Sequence, residues 1–170
     1  MLPALHDGVV VLNQHTDDDI AAHLAGEDEE TARRFGWWPK TSTPATVRDT
    51  FARWAHDWET GGPTRAFATR EQATGQLVGG CELRIKPGRP ANISYWTNAT
   101  GRGHGYATRS LTLLLGYAQS IGITDAEAHI ATDNQPSRRV AEKAGFLPAG
   151  TYTEQDGTAM IKYQIHLTNS

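Results

Sequence analysis

Between residues 93 and 146 the chain passes twice from a short strand-like run into a helix with a marked start, and this double pattern restricts the fold more than any other segment. The first pass is Ile93-Ser94-Tyr95-Trp96, then Gly101-Arg102-Gly103-His104-Gly105, then Ala107, Leu111, Leu114, Ala118 and Ile121 at helical spacing. The second is a run over 123–131, then Asn134-Gln135-Pro136-Ser137 opening a helix to Ala144, with Gly145 placed to end it in a left-handed residue. Strand, helix, strand, helix in this order predicts helices layered on a sheet. Strand-like runs over 65–70, 77–85 and 92–98, with Pro87-Gly88-Arg89-Pro90 as a turn, predict an antiparallel meander ahead of it.

The N-terminal part supplies one strand (8–12) and three helical stretches. Thr16 with Asp19 three residues on forms an Asp variant of the capping box, and a second helix is expected over 27–35. Thr43-Pro44 opens a third helix, in which Val47, Phe51, Trp54 and Trp58 recur at i, i+4, i+7 and i+11 and are expected to face the core. Two last strands, over 147–153 and 159–167, predict a hairpin across Gln155-Asp156-Gly157.

At 170 residues a single domain spanning 1–170 is the natural size for one core. A lone cysteine, Cys81, excludes an internal disulfide, and no apolar run approaches the roughly 20 residues of a membrane span. Met1-Leu2-Pro3-Ala4 lacks the basic and apolar segments of a secretory signal, so a cytoplasmic location is expected. The net charge of −3 is uneven: residues 1–60 hold 11 acids and 5 bases, residues 61–170 hold 8 acids and 11 bases. No basic stripe of the nucleic-acid-binding kind occurs, and the seven histidines with one cysteine lack metal-site spacing.

Glycines ahead of a helix point to an anion at its N-terminus. A nucleoside-triphosphate loop needs a lysine, and this one has none. A dinucleotide loop needs a third small residue where Thr108 stands, and an acid at the end of the next strand, whereas Asp125 lies near its start. Backbone amides from Arg102 to Thr108, with Gly103 and Gly105 permitting close approach, suit an anion held at the helix start.

The order of these motifs, Arg102-x-x-Gly105-x-Ala107 entering one helix and Asn134-x-x-Ser137 entering the next before Ala144-Gly145-Phe146, resembles the GNAT superfamily of acetyl-CoA-dependent N-acetyltransferases, and within it the ribosomal-protein alanine N-acetyltransferase branch. The resemblance implies a mixed α/β fold with a mostly antiparallel sheet of about seven strands flanked by helices, and a splayed strand pair that holds coenzyme A. It implies that Arg102, Gly103, His104, Gly105, Tyr106, Ala107 and Thr108 hold the pyrophosphate. Trp96, Thr97 and Asn98 would line the thioester region, and Asn134 and Arg138 would contact the cofactor. Ser137 would stand near the thioester sulfur; Asn134 and Ser137 equally suit a helix cap and first turn, and Arg138 equally suits solvent. One of Tyr95 and Trp96, which alternate across a strand, is expected in the core.

Glu82 and Glu154 are the candidate proton acceptors, with Tyr152 as a candidate acid. A route through an acyl-cysteine is disfavoured, because Cys81 has no basic neighbour in the sequence. The acidic clusters at Asp17-Asp18-Asp19 and at 27–30 suit a small cationic amine, such as an aminoglycoside, and a protein N-terminus competes with it. Trp37-Trp38-Pro39 is either an acceptor wall or a loop anchor. A non-catalytic acetyl-CoA-binding module is the alternative of another class. No metal is expected, and a homodimer is compatible with the resemblance.

Overall fold

A computed structural model describes residues 4–27 and 42–168. The expected second helix over 27–35 and Trp37-Trp38-Pro39 therefore lie outside the described residues, apart from Glu27. Strands are β1 (Leu5–His6), β2 (Val10–Asn13), β3 (Thr64–Glu71), β4 (Leu77–Arg84), β5 (Ala91–Thr97), β6 (Asp125–Ala131), β7 (Leu147–Thr153) and β8 (Ala159–His166). Helices are α1 (Ile20–Gly26), α2 (Pro44–Thr60), α3 (Tyr106–Ser120) and α4 (Gln135–Lys143). Among the described residues the strands form one eight-stranded sheet in the order β1-β2-β3-β4-β5-β6-β8-β7, in which only β5 and β6 run parallel. The sheet has one strand more than the seven expected, because β1 adds a two-residue pairing beyond β2.

The meander, the hairpin and the crossover helices stand where the turn and stripe patterns put them. Glycine punctuates these elements: Gly61 caps α2 at φ 72°, and Gly145 follows α4 at φ 100°. Helix α3 starts at Tyr106, three residues later than expected at Gly103, because Gly103 and Gly105 hold φ of 83° and 76°, outside the helical region. Its buried face is also rotated from the expected stripe. Ser110 and Leu115 are covered, whereas Ile121, expected inside, is 42% exposed.

The main core joins Leu12, Phe67, Cys81 and Leu83 of the meander to Leu111 and Leu114 of α3 and to Phe146 and Tyr163 of the C-terminal part. Each fully buried leucine stabilises by roughly 1.5–3 kcal/mol relative to exposure. A smaller cluster lies between α1 and α2, where Val47 and Phe51 meet Ile20. Trp58 leaves that pattern and packs on Phe67 and Tyr117, with its indole nitrogen donating to the Ala66 carbonyl at 3.0 Å.

Asp19 ties the start of α1 to β3. Its carboxylate takes two bonds of 2.7 Å from the Arg70 guanidinium and one of 2.7 Å from the Thr16 amide. Burial pushes this carboxyl up, but the Arg70 and Thr16 bonds and the Arg70 charge outweigh it and hold it below the usual carboxylate range.

Candidate active site

Strands β5 and β6 pair only at Ala91–Ala126 and Asn92–Glu127. Beyond those residues no ladder joins them, so the edges of both strands open into a gap that widens toward Trp96 and Ala131. Helix α3 begins at the wide end of this gap. Its cap is Gly105, no side chain among the described residues caps it, and no acid stands in its first turn. The amides of Tyr106, Ala107 and Thr108 have no carbonyl one turn earlier, and the helix dipole adds positive charge there. A Cβ built at Gly103 or Gly105 would meet nothing within 4 Å. These glycines are needed for their positive φ, and the space over them is open, not closely packed.

Side chains around this loop are fixed by short contacts. The His104 ring stacks on Tyr106 at 5.4 Å and approaches the Arg102 carbonyl at 3.0 Å through Nδ1. Tyr106 is buried and donates its hydroxyl to Glu71 at 2.5 Å. Its side chain is thus structural, leaving the backbone for a ligand.

On one side of the gap, α4 starts against β5. Asn134 caps the helix by accepting from the Ser137 amide at 3.3 Å. Tyr95 donates to the Ser137 carbonyl at 2.8 Å, and the Ser137 hydroxyl donates to Tyr95 Oη at 3.1 Å. Burial pushes the Tyr95 phenol up to about 12, so it stays protonated. Two of the expected cofactor contacts have hydrogen-bond partners within the fold. Arg138, expected to contact the cofactor, donates to the Thr132 carbonyl at 3.0 Å and the Tyr163 hydroxyl at 3.2 Å. Asn98, thought to line the thioester region, is buried with its amide group on the Leu77 carbonyl at 3.4 Å and its backbone amide on Val78.

The opposite face of the sheet carries different chemistry. Tyr95 is turned toward the main core, so Trp96 is turned away from it. Trp96 is held by glycine: a Cβ at Gly80 would come within 2.3 Å of its indole. Its ring meets Trp54 at 6.3 Å and His23 at 6.4 Å, and these join Phe51 and His15 in an aromatic cluster between α1, α2 and β5. Burial holds the His15 imidazole down to about 3 and lowers His23 as well, so this wall is uncharged at neutral pH. Glu82 is opposite Ser94 and therefore on this same face, half-buried, 3.6 Å from Arg84. Burial pushes its carboxyl up, against the Arg84 charge and together with that of Asp57.

Tyr152 and Glu154 come to this face from the hairpin. Tyr152 shares its hydroxyl with His129 Nδ1 at 2.7 Å, and His129 Nε2 meets Glu127 at 3.0 Å. The candidates thus divide: Ser137 lies on the α4 side of the gap, and Glu82 and Tyr152 on the other. Neither His129 nor Glu127 stood out in the sequence, although the strand reads Asp-Ala-Glu-Ala-His-Ile-Ala and its alternation puts both on one face. Cys81 is fully buried with its thiol pushed far up, so an acyl-cysteine route has no accessible thiol. Asp19, grouped with Asp17 and Asp18 as an attraction for cations, is committed to Arg70. Among the described residues no group of three His, Cys, Asp or Glu side chains is placed to hold a metal, and no helix is long and apolar enough to cross a membrane.

The profile of the acetyltransferase (GNAT) domain family matches residues 10–147. Similar solved structures include RimL, a ribosomal L7/L12 alpha-N-protein acetyltransferase in complex with coenzyme A (17% identity, TM-score 0.85, covering 97% of this chain and 98% of that one). A spermidine N-acetyltransferase from Vibrio cholerae in complex with coenzyme A and spermine is similar at 16% identity and TM-score 0.80 (94% and 96% covered). RimJ from Mycobacterium smegmatis, in complex with a CoA-disulfide, is similar at 22% identity and TM-score 0.78 (97% and 86% covered). No curated protein matches the chain by sequence. Identities of this size establish a shared fold.

Proposed function

Because the chain belongs to the GNAT acetyltransferase family, we propose that it moves the acetyl group of acetyl-CoA to the primary amine of a small cationic acceptor, with an aminoglycoside as the first candidate class. The observation that carries this reading is the uncapped, glycine-led start of α3 at the wide end of the β5–β6 gap. Its free amides suit a pyrophosphate, and the unpaired edge of β5 suits a pantetheine arm by strand addition. In this reading Gly103, Gly105 and the amides of residues 106–108 hold the phosphates, with Arg102 and His104 beside them. Trp96 and Thr97 line the thioester, where a backbone amide polarises its carbonyl. Asn134 orders the first turn of α4, and Ser137 stabilises the departing thiolate.

The acceptor approaches over the other face. An aromatic wall of Trp96 and Trp54 attracts a cation through its ring faces, and the half-buried Glu82 adds a carboxylate beside it. Glu154, next to Tyr152, marks the rim. A protein N-terminus is the second reading, favoured by the ribosomal-protein acetyltransferase among the similar structures. An assay with acetyl-CoA, aminoglycosides, spermidine and amino-terminal peptides, following free thiol, tests both. Selective turnover of one class assigns the acceptor; tight acetyl-CoA binding without thiol release from any member favours a non-catalytic binding module.

A further inference from the structure

The face that carries Glu82 also carries a chain of hydrogen bonds with no task in the reading above. His129 holds Glu127 Oε1 at 3.0 Å through Nε2 and the Tyr152 hydroxyl at 2.7 Å through Nδ1. An ionised carboxylate only accepts, so Nε2 carries the hydrogen, and the lone pair at Nδ1 accepts from Tyr152. Phenol, imidazole and carboxylate stand in line, as hydroxyl, base and orienting acid do in a catalytic triad.

Register places this chain at the gap. Glu127 pairs with Asn92, the last residue before β5 and β6 part, so it shares a face with Asn92, Ser94 and Trp96. Counting on along the parallel strands, His129 is level with Ser94, which is itself opposite Glu82. Tyr152 pairs with Met160, and Met160 with Ala131, which is level with Trp96. The Glu127 side chain is 15% exposed and that of His129 31%, and Tyr152 at the far end is exposed as well. The carboxylate end is therefore sheltered, and the phenol end opens where an acceptor meets the thioester.

We propose that Glu127, His129 and Tyr152 form the proton exit for the acceptor amine, with the Tyr152 hydroxyl as the group that touches the ammonium. This rests on the acetyl-transfer reading. As the ammonium gives a proton to Tyr152 Oη, the hydroxyl hydrogen of Tyr152 passes to His129 Nδ1, and Glu127 neutralises the resulting imidazolium. The freed amine forms its carbon–nitrogen bond to the acetyl carbon as the carbon–sulfur bond of acetyl-CoA breaks. The second nitrogen proton leaves with the thiolate as free thiol, and His129 returns its proton to solvent. Imidazole suits this task because one ring nitrogen accepts a proton while the other is held by a carboxylate. The charged and titratable groups facing His129 are Glu127 on its own strand, Lys162 opposite it on β8, Tyr152 on β7 with Glu154 just past its end, and Glu82 beyond Ser94 across the gap. Glu82 then serves to draw in the ammonium.

The test compares His129→Gln, Tyr152→Phe, Glu127→Gln and Glu82→Gln with the wild type, using whichever panel amine turns over. Acceptor kcat and KM are measured from about pH 6 to about pH 10, with coenzyme A affinity alongside. His129→Gln and Tyr152→Phe are expected to lower kcat by roughly a hundredfold or more near neutral pH. Their deficit closes as the pH approaches the amine's own pKa, the two losses do not add, and coenzyme A affinity is unchanged. A wild-type pH profile in His129→Gln, a loss independent of pH, or a pH-dependent deficit confined to Glu82→Gln overturns the proposal. If the wild type turns over no amine, the acetyl-transfer reading fails by itself, and ring-nitrogen NMR of His129 still decides the relay. An Nε2–H tautomer that is lost in Glu127→Leu, which removes the acceptor, supports it, and an Nδ1–H tautomer in the wild type overturns it.

Discussion

Substitution of Gly105 separates what the backbone requires from what an anion requires. The residue has φ 76°, and a Cβ there meets nothing within 4 Å, so Gly105→Ala introduces no clash. Its cost is conformational, about 1–2 kcal/mol. A domain with a stability of about 5–15 kcal/mol survives that loss. Gly105→Glu carries the same strain and adds a carboxylate beside the free amides of α3. At about 4 Å from a phosphate charge the repulsion is about 1 kcal/mol in bulk water and about 4 kcal/mol at an effective dielectric of 20. Because about 1.4 kcal/mol is tenfold, the coenzyme A Kd of Gly105→Glu should exceed that of Gly105→Ala by between roughly fivefold and roughly a thousandfold. Calorimetric titration of both variants, with thermal melts to confirm folding, measures the difference. The excess loss should shrink as salt is raised. Equal affinities in two folded variants would refute the phosphate assignment.

Three further outcomes follow from the packing. Asp19→Asn leaves the Arg70 guanidinium without its carboxylate and should cost about 3–5 kcal/mol at neutral pH, the range for breaking a buried pair. Since the Asp19 carboxyl is held below its ordinary value of 3.8, its stabilisation is present above that pH and fades as pH falls through the depressed value. Denaturant melts at neutral and strongly acid pH should therefore show the gap between variant and wild type closing on acidification. For Glu82 the sign is opposite: its raised carboxyl pKa means that ionisation destabilises the fold as pH climbs above 4.5. Glu82→Gln should thus match the wild type in acid and melt at a higher temperature near neutral pH. Tyr95→Phe strips the Ser137 carbonyl of its donor and should cost about 1–3 kcal/mol, whereas Ser137→Ala should hold stability to within about 1.5 kcal/mol while lowering kcat; chemical denaturation and single-turnover rates distinguish the two.

The elements were legible because each is announced locally. Thr43-Pro44 opens α2, Gly145 ends α4 and Gln155-Asp156-Gly157 closes the β7–β8 hairpin, all by backbone chemistry confined to a few residues. The glycine-led start of α3 was legible for the same reason, though its first turn was placed too early, because positive φ at Gly103 and Gly105 delays the helix. Long-range pairing was not legible. That Arg138 would turn back to Thr132 and Tyr163, or that Asn98 would be buried on the Leu77 carbonyl, depends on strands that meet only in the folded sheet. His15 and His23 carried no motif, and their place beside Phe51, Trp54 and Trp96 comes from the packing of α1 against α2. Tyr152 lies 23 residues beyond His129 on another strand, and alternation alone places only Glu127 and His129 on one face.

The central claim is that this fold transfers acetyl groups and does not merely hold acetyl-CoA. Incubation of the purified chain with acetyl-CoA and the amine panel, with free thiol and acceptor mass followed in the same reaction, tests it most directly. One acetylated acceptor amine should appear for each thiol released, at a rate that Gly105→Glu suppresses. Saturable acetyl-CoA binding, with thiol release no faster than hydrolysis and no acceptor gaining an acetyl group, would contradict it.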